Sequence, residues 1–462
     1  MDAFRSGVFT LIYLGAIGAV AVADDHSPVG PSPMGPNDVA ALLTADEPTV
    51  APQALPEWDT TSRATEATSA NALAGGLLHA DRPEDTDDIA TLLEQEQARA
   101  VPATESLATD RQAKPRPSRP YLLTIEQLER AATGRPTDHG LSRLILQAEQ
   151  TARSIPASND SRRSRIAELL AWAFNARGEL RAERGDAAAA LADFDAAIRR
   201  HPECAEALHN RAVSLAEAGR QSEALHAFDR AIAARPHWVS ALRNRATLRA
   251  SLGEVALALA DCDAAIAVAP PLGAPNDSET RGVLEVRAAI YRQLSRPLDA
   301  LADYTDALDH VPANTAKAGL LVQRASVLVE LARYDQATED CFAALESDAR
   351  NAEAYRGLAW LLSAHPEADQ RDTQLARESA TRARQLLGKT VETLEAEAVA
   401  LAATGEVREA QRKQREAIRL AEARGSAAEQ HLRLAAYEAG QPWLLPSATA
   451  SKEVVRALHT EE

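Results

Sequence analysis

Apolar residues between positions 121 and 439 recur with the spacing of an α-helix, and the pattern itself repeats every 34 residues. The stretch EALHAFDRAIAARP (223–236) ends at Pro236, and related stretches end at Pro202 and Pro270. Apolar side chains three and four residues apart share one face of a helix. Each period, counted from residues 171, 205 and 239 as position 1, therefore predicts two amphipathic helices. The first has about 14 residues, a turn follows near position 15, and the second ends at a proline.

Several positions of the period carry the residue types that paired helices require. Small residues at positions 8 and 20 let the two helices cross closely, and a bulky residue at position 24 fills the space beside them. Glycine at position 15 ends the first helix in a left-handed conformation, and proline at position 32 stops the second. The residues at these structural positions are Gly178, Ala190, Pro202, Ala212, Gly219, Ala224, Pro236, Ala246, Gly253, Ala258, Pro270, Ala288, Ala300 and Pro312.

This set of constraints resembles the tetratricopeptide repeat. Seven similar units follow between residues 171 and 424, with an eight-residue insertion at 273–280 and with neither turn glycine nor closing proline in the unit 318–351. The resemblance implies an all-α fold, a right-handed α-solenoid of about seven helix pairs, because a single pair cannot bury its apolar face. The C-terminal part, through LAAYEAGQPW (434–443), is similar to a module of tetratricopeptide proteins from planctomycete-like bacteria.

The first 23 residues have the pattern of a secretory signal peptide. One arginine precedes the apolar run VFTLIYLGAIGAVAVA (8–23), which ends in the small-x-small sequence Ala21-Val22-Ala23. We expect cleavage there and export to the periplasm or the extracellular space. A retained membrane anchor through 8–23 is the alternative, although the run is shorter than the roughly 20 residues that a spanning helix needs.

Residues 24–120 differ in composition from the rest of the chain. They hold 12 of the 24 prolines, and 17 Asp and Glu against 7 Lys and Arg, a composition that cannot pack a core. We predict a disordered, extended linker, in which DIATLLEQEQARA (88–100) forms transient helices or docks on a partner. N-terminal capping helices (121–170), the repeat array (171–424) and a C-terminal capping helix with its tail (425–462) follow. Removal of the linker is expected to leave the stability of the array unchanged.

Charge and motifs narrow the range of functions. The formal net charge of −17 argues against nucleic acid or an anionic membrane surface as the partner. The chain contains no P-loop, GxSxG, HExxH or CxxC motif. His201, His209, His226 and His237 lack the spacing that places two metal ligands on one helix face. We therefore expect neither cofactor nor metal, and an enzyme whose site is assembled from distant residues is an alternative.

The three cysteines, Cys204, Cys262 and Cys341, do not indicate a disulfide framework, since exported proteins that depend on disulfides usually have more cysteines and an even number. Cys262 and Cys341 occupy position 24 of their units, so we expect both to be buried and unreactive. Cys204 lies at a unit junction, where either exposure or burial is compatible with the pattern.

Arginine at position 7 and aspartate at position 23 recur together in four units. The pairs are Arg177 with Asp193, Arg245 with Asp261, Arg287 with Asp303, and Arg324 with Asp340. The arginines form either a basic ladder that binds a ligand or internal ion pairs between the two helices of a unit. Because the two residue types occur together, we favour the ion pairs.

In tetratricopeptide arrays the concave surface is formed mainly by positions 2, 5, 6, 9, 12 and 13 of the first helices. A side-chain amide at such a position offers both a donor and an acceptor to an extended peptide backbone. The resemblance implies a peptide-binding groove that includes Asn175, His209, Asn210, Arg243, Asn244 and Gln323. The alternative is that asparagine is merely a frequent residue on helix surfaces.

The sequence thus predicts a non-catalytic scaffold that binds an extended peptide or a protein partner in this groove. An accessory subunit of an envelope enzyme or of a secretion complex, which uses its convex face or its tail, is the alternative. The groove positions hold nine acidic residues, namely Glu179, Glu183, Glu206, Glu217, Glu285, Glu330, Glu353, Glu392 and Glu395, and three basic ones, Arg243, Arg292 and Arg356. We therefore expect a neutral to basic partner.

Overall fold

In the computed structural model the described residues are 87–100, 122–274, 277–309, 311, 315–423 and 427–446. The signal peptide, linker residues 24–86 and 101–120, and Pro312 lie outside them. Within the described residues the regular structure is helical, with eighteen α-helices, one 3₁₀ turn at Ala368–Gln370 and no strand. The helices are α1 (Ile89–Ala100), α2 (Ile125–Ala132), α3 (Asp138–Ser154), α4 (Asp160–Glu183), α5 (Ala187–Arg200), α6 (Ala205–Glu217), α7 (Gln221–Ala234), α8 (Val239–Ser251), α9 (Val255–Val268), α10 (Ser278–Gln293), α11 (Pro297–Leu308), α12 (Thr315–Glu330), α13 (Tyr334–Ser347), α14 (Ala352–Ala364), α15 (Thr373–Leu387), α16 (Val391–Ala403), α17 (Val407–Glu422) and α18 (Ala428–Glu438).

The helices divide into two compact units, an N-terminal unit with α1–α9 and a C-terminal unit with α10–α18. From α4 onward the helices of each unit pack in consecutive pairs, α4 with α5 through α8 with α9, and α10 with α11 through α16 with α17. Within a unit, each second helix also packs on the helix that follows it. The apolar face of a pair is therefore covered by its neighbour, as stacked repeats require.

Helix α1 corrects the prediction of a disordered linker for residues 87–100. Ile89 and Leu93, four residues apart, are fully buried against α2 and α3. The Ile89 N–H donates to the Arg135 carbonyl (3.2 Å), and Glu96 forms an ion pair with Arg130 (3.0 Å), whose hydrogen bond lowers the pKa of the Glu96 carboxyl. The acidic, proline-rich composition of 24–120 is an average that conceals the short amphipathic helix α1.

Two helices begin at residues other than those that the period predicts. Helix α4 begins at Asp160, not at residue 171, because the Asn159 side chain caps it and Ile166 continues its buried face. Part of the predicted capping segment thus belongs to the first helix of the array. Helix α10 begins at Ser278, so the last three residues of the predicted insertion are its first turn.

Small residues lie where paired helices approach each other. The alanines at positions 8 and 20, from Ala190 to Ala300, are fully buried. A Cβ atom on Gly178 would lie 2.6 Å from the Phe194 ring, so any larger residue would displace that ring. Position 24 is buried in five units, in which it carries Phe194, Phe228, Cys262, Tyr304 and Cys341. The expected burial of Cys262 and Cys341 is therefore confirmed.

The turn inside each pair requires a left-handed residue. Gly219 and Gly253 have φ angles of +73° and +79°. Where the glycine is absent, Ser295 and Ala332 adopt φ angles of +55° and +53° at the same position. The geometry of the turn is therefore kept even where the residue is unfavourable for it, because the pairing of the helices determines it.

The four arginine–aspartate pairs are ion pairs between the two helices of a unit, as favoured from the sequence. Each arginine donates two hydrogen bonds to its aspartate, with lengths of 2.6–3.0 Å. Asp261 accepts a third bond from Arg249 (2.7 Å), and Arg245 also reaches the exposed Asp229 (2.6 Å). The basic-ladder interpretation is wrong for these residues, since the guanidinium groups are engaged inside the repeats.

Leu93→Ala tests the docking of α1. The substitution leaves a cavity at a fully buried site and is expected to lower the free energy of unfolding by about 3 kcal/mol. Glu94→Ala removes only an exposed ion pair with Arg143 and should change it by less than about 1 kcal/mol. Urea denaturation with hydrogen exchange of the α1 and α2 amides measures both; equal effects of the two variants would show that α1 does not dock.

Asp261→Ala tests the internal ion pairs. It leaves Arg245 and Arg249, both mostly buried, without their shared carboxylate, and is expected to cost about 3 kcal/mol. Asp229→Ala removes another acceptor of the same Arg245 at an exposed position, and its cost should stay below about 1 kcal/mol. Chemical denaturation of both variants decides between them, and similar losses would contradict a specific role for the buried aspartate.

Candidate peptide-binding surface

Three asparagines on successive first helices of the N-terminal unit form part of a hydrogen-bonded row. Asn175 lies on α4, Asn210 on α6 and Asn244 on α8. The Asn210 Nδ2 donates to Asn175 Oδ1 (3.1 Å) and to Glu179 Oε1 (2.7 Å), and the Asn175 Nδ2 donates to the same carboxylate oxygen (2.9 Å). We call Asn175, Glu179, His209, Asn210 and Asn244 the amide row.

His209 joins the second half of the amide row. The Asn244 Nδ2 lies 3.1 Å from His209 Nε2, and since an amide nitrogen can only donate, this ring nitrogen is the acceptor. The ring is buried between Trp238, at a centroid distance of 4.6 Å, and Phe228, at 5.7 Å. Aromatic packing therefore holds the group that orients the Asn244 amide.

The donors of the row are used internally, whereas two of its acceptors are not. In the described part of the chain, the Oδ1 atoms of Asn210 and Asn244 accept no hydrogen bond. Asn175, His209 and Asn210 are buried, while Asn244 is half-buried. The row therefore presents amide oxygens, which accept hydrogen bonds, rather than groups that donate them.

The other two residues predicted for the groove lie on α8 and on α12. Arg243 is buried on α8, next to Asn244 in the chain. Gln323 lies half-buried on α12 in the C-terminal unit, and so belongs to a different set of helices. The structure thus brings together four of the six residues predicted for the groove.

Several of the acidic residues counted for the groove are neutralised by arginines. Glu206 pairs with Arg235 (2.7 Å), Glu330 with Arg292 (2.7 Å), and Glu353 with Arg356. Burial raises the pKa of the Glu330 carboxyl, and Arg292 opposes this rise. Arg292 and Arg356 were already among the counted basic residues, whereas Arg235 was not, so of these three pairs only that of Glu206 makes the first-helix surfaces less negative than the count of residues suggests.

The buried pair of Glu395 with Arg433 extends this neutralisation to α16. Neither side chain is more than 4% exposed. Arg433 comes from α18, outside the repeat positions, as Arg235 comes from the end of α7. Their contribution was missed because only first-helix positions were counted.

The sequence analysis did not identify three residues that form hydrogen bonds or packing contacts at or near the amide row. Glu179 was counted only as a charge, although its spacing of four residues from Asn175 indicates a contact on one helix face. Trp238 and Arg235 lie at the unit junction, where Arg235 stacks over the indole at 4.7 Å. Nothing in the 34-residue period marks this junction, because neighbouring units have other residues there.

No cluster of three or more metal-ligating side chains occurs among the described residues. In the same part of the chain, no helix is both long and apolar enough to cross a membrane.

Helix pairs that bury small residues at a fixed period define a helical-repeat protein. Residues 175–237 and 218–274 match the family model of the tetratricopeptide repeat, so this part of the chain consists of tetratricopeptide repeats. Such repeats generally mediate protein–protein interactions and are typically non-catalytic. None of the curated proteins matches the sequence.

Solved structures with a similar arrangement come from several organisms. A tetratricopeptide repeat protein from Parabacteroides merdae is 19% identical with a TM-score of 0.42, and covers 57% of this chain and 96% of its own. PilF of Pseudomonas aeruginosa is 17% identical with a TM-score of 0.42, covering 50% and 97%. Yeast Tom70 is 16% identical with a TM-score of 0.40, covering 87% and 74%. At these scores, the likenesses assign no partner to this chain.

Cys204 is the N-cap residue before α6, the helix that carries His209 and Asn210, and its thiol is shielded. Burial raises the pKa of the Cys204 thiol to about 12, and the Glu206 carboxylate adds to the effect. Burial likewise raises the pKa of the Cys341 thiol to about 12. Thiolates, the reactive form, are therefore scarce at neutral pH.

All three thiols are expected to resist a maleimide at pH 7.5 in the native protein. A thiol with a pKa near 12 carries about three powers of ten less thiolate than an ordinary one with a pKa of about 8.5. Mass spectrometry before and after unfolding in guanidinium should show no labels and then three labels. One rapid native label that disappears in Cys204→Ser would contradict the shielding of this thiol.

Proposed function

We propose that this protein is a non-catalytic scaffold that binds an extended peptide or protein segment along the first helices of its repeats. The observation that carries the proposal is the amide row on α4, α6 and α8. Small apolar residues at these positions would serve packing alone. A ligand that runs across the repeats accounts for polar side chains there on three successive helices.

The bonding within the row defines the kind of ligand. Because the amide nitrogens are engaged with Glu179, Asn175 and His209, the side chains are held in place before a ligand arrives. The Oδ1 atoms of Asn210 and Asn244 then accept hydrogen bonds from backbone N–H groups of an extended chain. Ordered side chains lose little conformational entropy when they bind, so the row favours affinity.

The charge of the ligand follows from the acceptors and from the acidic character of the chain. Glu183, on the first helix α4, is exposed, and the net charge of the chain is −17. A neutral or basic segment meets favourable potential there, whereas an acidic tail is repelled, most strongly at low salt. Pairing of Glu206 with Arg235 reduces this preference without reversing it.

The proposal includes export, for which the apolar run 8–23 is the support. That run lies outside the described residues, so the support is the sequence pattern alone. A retained anchor would place the same binding surface at a membrane, and the ligand chemistry would be unchanged.

Asn210→Ala combined with Asn244→Ala tests the row. Loss of two acceptors is expected to weaken the binding of extended basic or neutral peptides about tenfold, as measured by fluorescence anisotropy on hits from a peptide array. His226→Ala, at an exposed position of the second helix α7, is the control and should bind like the wild type. A screen at low and moderate salt measures the charge preference.

Two results would contradict the proposal. Selection of acidic or free-carboxylate peptides over basic ones would refute the charge argument. If the double asparagine variant binds peptide like the wild type and His226→Ala binds it more weakly, the ligand binds to a surface of the second helices. That result would favour the alternative of an accessory subunit.

A further inference from the structure

The chain continues beyond α18 as an extended segment that lies against other helices of the C-terminal unit. Helix α18 ends at Glu438, and residues 441–446 have no helical structure. Trp443 and Leu445 are half-buried against the apolar core that includes α13 and α14, whereas Leu444 between them is 41% exposed. This alternation is that of a strand or a bound extended peptide.

Hydrogen bonds to its own backbone groups fix the segment at two points. The Leu445 N–H donates to the Ala364 carbonyl (2.7 Å), and the Tyr334 hydroxyl donates to the Pro446 carbonyl (2.7 Å). Ala364 is the last residue of α14, so its carbonyl has no partner within the helix. The helix end thus offers an acceptor that any extended chain with a free N–H can use.

The slot that holds Trp443 is built by residues outside the segment. The Arg433 guanidinium lies 5.2 Å from the centroid of the Trp360 ring and 5.6 Å from that of Trp443. The buried Glu395 carboxylate on α16 pairs with the same guanidinium. Glu395 and Trp360 hold the Arg433 guanidinium in place. An aromatic ring can therefore stack on this cation whether or not it belongs to residue 443.

The same helix positions were predicted to bind ligands. Trp360 and Ala364 occupy positions 9 and 13 of the unit that begins at residue 352, both among the groove positions of the repeat. We call Tyr334, Trp360, Ala364 and Arg433 the Trp360 surface. Its present occupant has the composition Trp-Leu-Leu-Pro and no charged residue.

We infer that the Trp360 surface is a binding site for an extended protein segment with an aromatic residue followed two positions later by an aliphatic one, and that residues 443–446 occupy it as an internal ligand. The aromatic ring stacks on Arg433, the aliphatic residue packs on α13 and α14, and its N–H bonds the Ala364 carbonyl. This inference deepens the proposed function, on which it rests, by naming the class of partner.

The internal ligand competes with any external segment and so raises the affinity that an external segment needs in order to bind. Only a few residues separate Trp443 from α18, so its effective concentration at the surface is high, in the millimolar range or above. An external segment binds with its intrinsic affinity divided by the fraction of molecules whose surface is open. Weak sequences are thereby excluded, and only a segment that matches the aromatic and aliphatic positions displaces the tail.

The test is the binding of a fluorescein-labelled peptide, GQPWLLPS, to the full-length protein and to a variant with an open surface. Trp443→Ser combined with Leu445→Pro removes the ring and the N–H donor of the tail, but leaves α13, α14, α16 and α18 unchanged. We expect this variant to bind the peptide at least tenfold more tightly than the wild type does, by fluorescence anisotropy. Leu444→Ala, at the exposed position, should bind like the wild type.

Two further controls define the contacts. The peptide GQPALAPS, without the aromatic and aliphatic anchors, should not bind the open variant. Tyr334→Phe, added to the open variant, removes one donor and should weaken binding of GQPWLLPS by between about twofold and tenfold. In the wild type, an excess of unlabelled GQPWLLPS should accelerate hydrogen exchange of the Leu445 amide, and this measurement does not depend on the folding of any variant.

Several outcomes would overturn the inference. If the open variant is folded by circular dichroism but does not bind GQPWLLPS, or if excess peptide leaves the Leu445 exchange unchanged, the segment is only a structural cap. If light scattering shows that the wild type is a dimer and the open variant a monomer, the occupant is the tail of a second copy. Failure of the proposed function is distinguishable, because its Asn210 and Asn244 substitutions lie in the other unit.

Discussion

Close approach of paired helices at small side chains is the constraint on which the rest of the structure depends. At Gly178 even one added carbon would collide with Phe194, and alanines fill the equivalent positions of later units. Such contacts bury little apolar area per residue, so a pair gains stability only when both of its faces are covered. The helices α1–α3 provide one such cover within the N-terminal unit, and α18 with its extended segment provides one within the C-terminal unit.

The parts of the fold that repeat could be predicted, because each constraint occurs several times. The burial of Cys262 followed from Phe228 at the same position one period earlier, and the ion pair of Arg245 with Asp261 followed from its recurrence in three other units. Contacts that occur only once could not be predicted by comparison between units. Ile89 docks α1 without any repeated counterpart, and Leu445 reaches Ala364 across 81 residues of chain.

In the candidate surface, too, the period predicts some features and not others. The period placed Asn210 and Asn244 on first helices, but their hydrogen bonds depend on residues at other positions of the neighbouring unit. Asn210 bonds Asn175 and Asn244 bonds His209, each 35 residues earlier at position 5 of the preceding unit, and Asn210 also bonds Glu179, 31 residues earlier. Because the residue at position 5 differs in type between the units and Glu179 adds a second partner, the period predicts where each amide lies but not which of its atoms makes the hydrogen bonds.

In both proposed binding surfaces, each within its own unit, the groups assigned to the ligand are hydrogen-bond acceptors. In the N-terminal unit these are the Oδ1 atoms of Asn210 and Asn244, and in the C-terminal unit it is the Ala364 carbonyl at the end of α14. A folded domain uses its backbone N–H groups internally, so an acceptor of this kind finds its partner mainly in extended chains. The Leu445 N–H meets this condition because Leu445 belongs to a segment without regular structure. Under the proposed function, the chemistry of the repeats thus selects the conformation of a partner before it selects the partner's sequence.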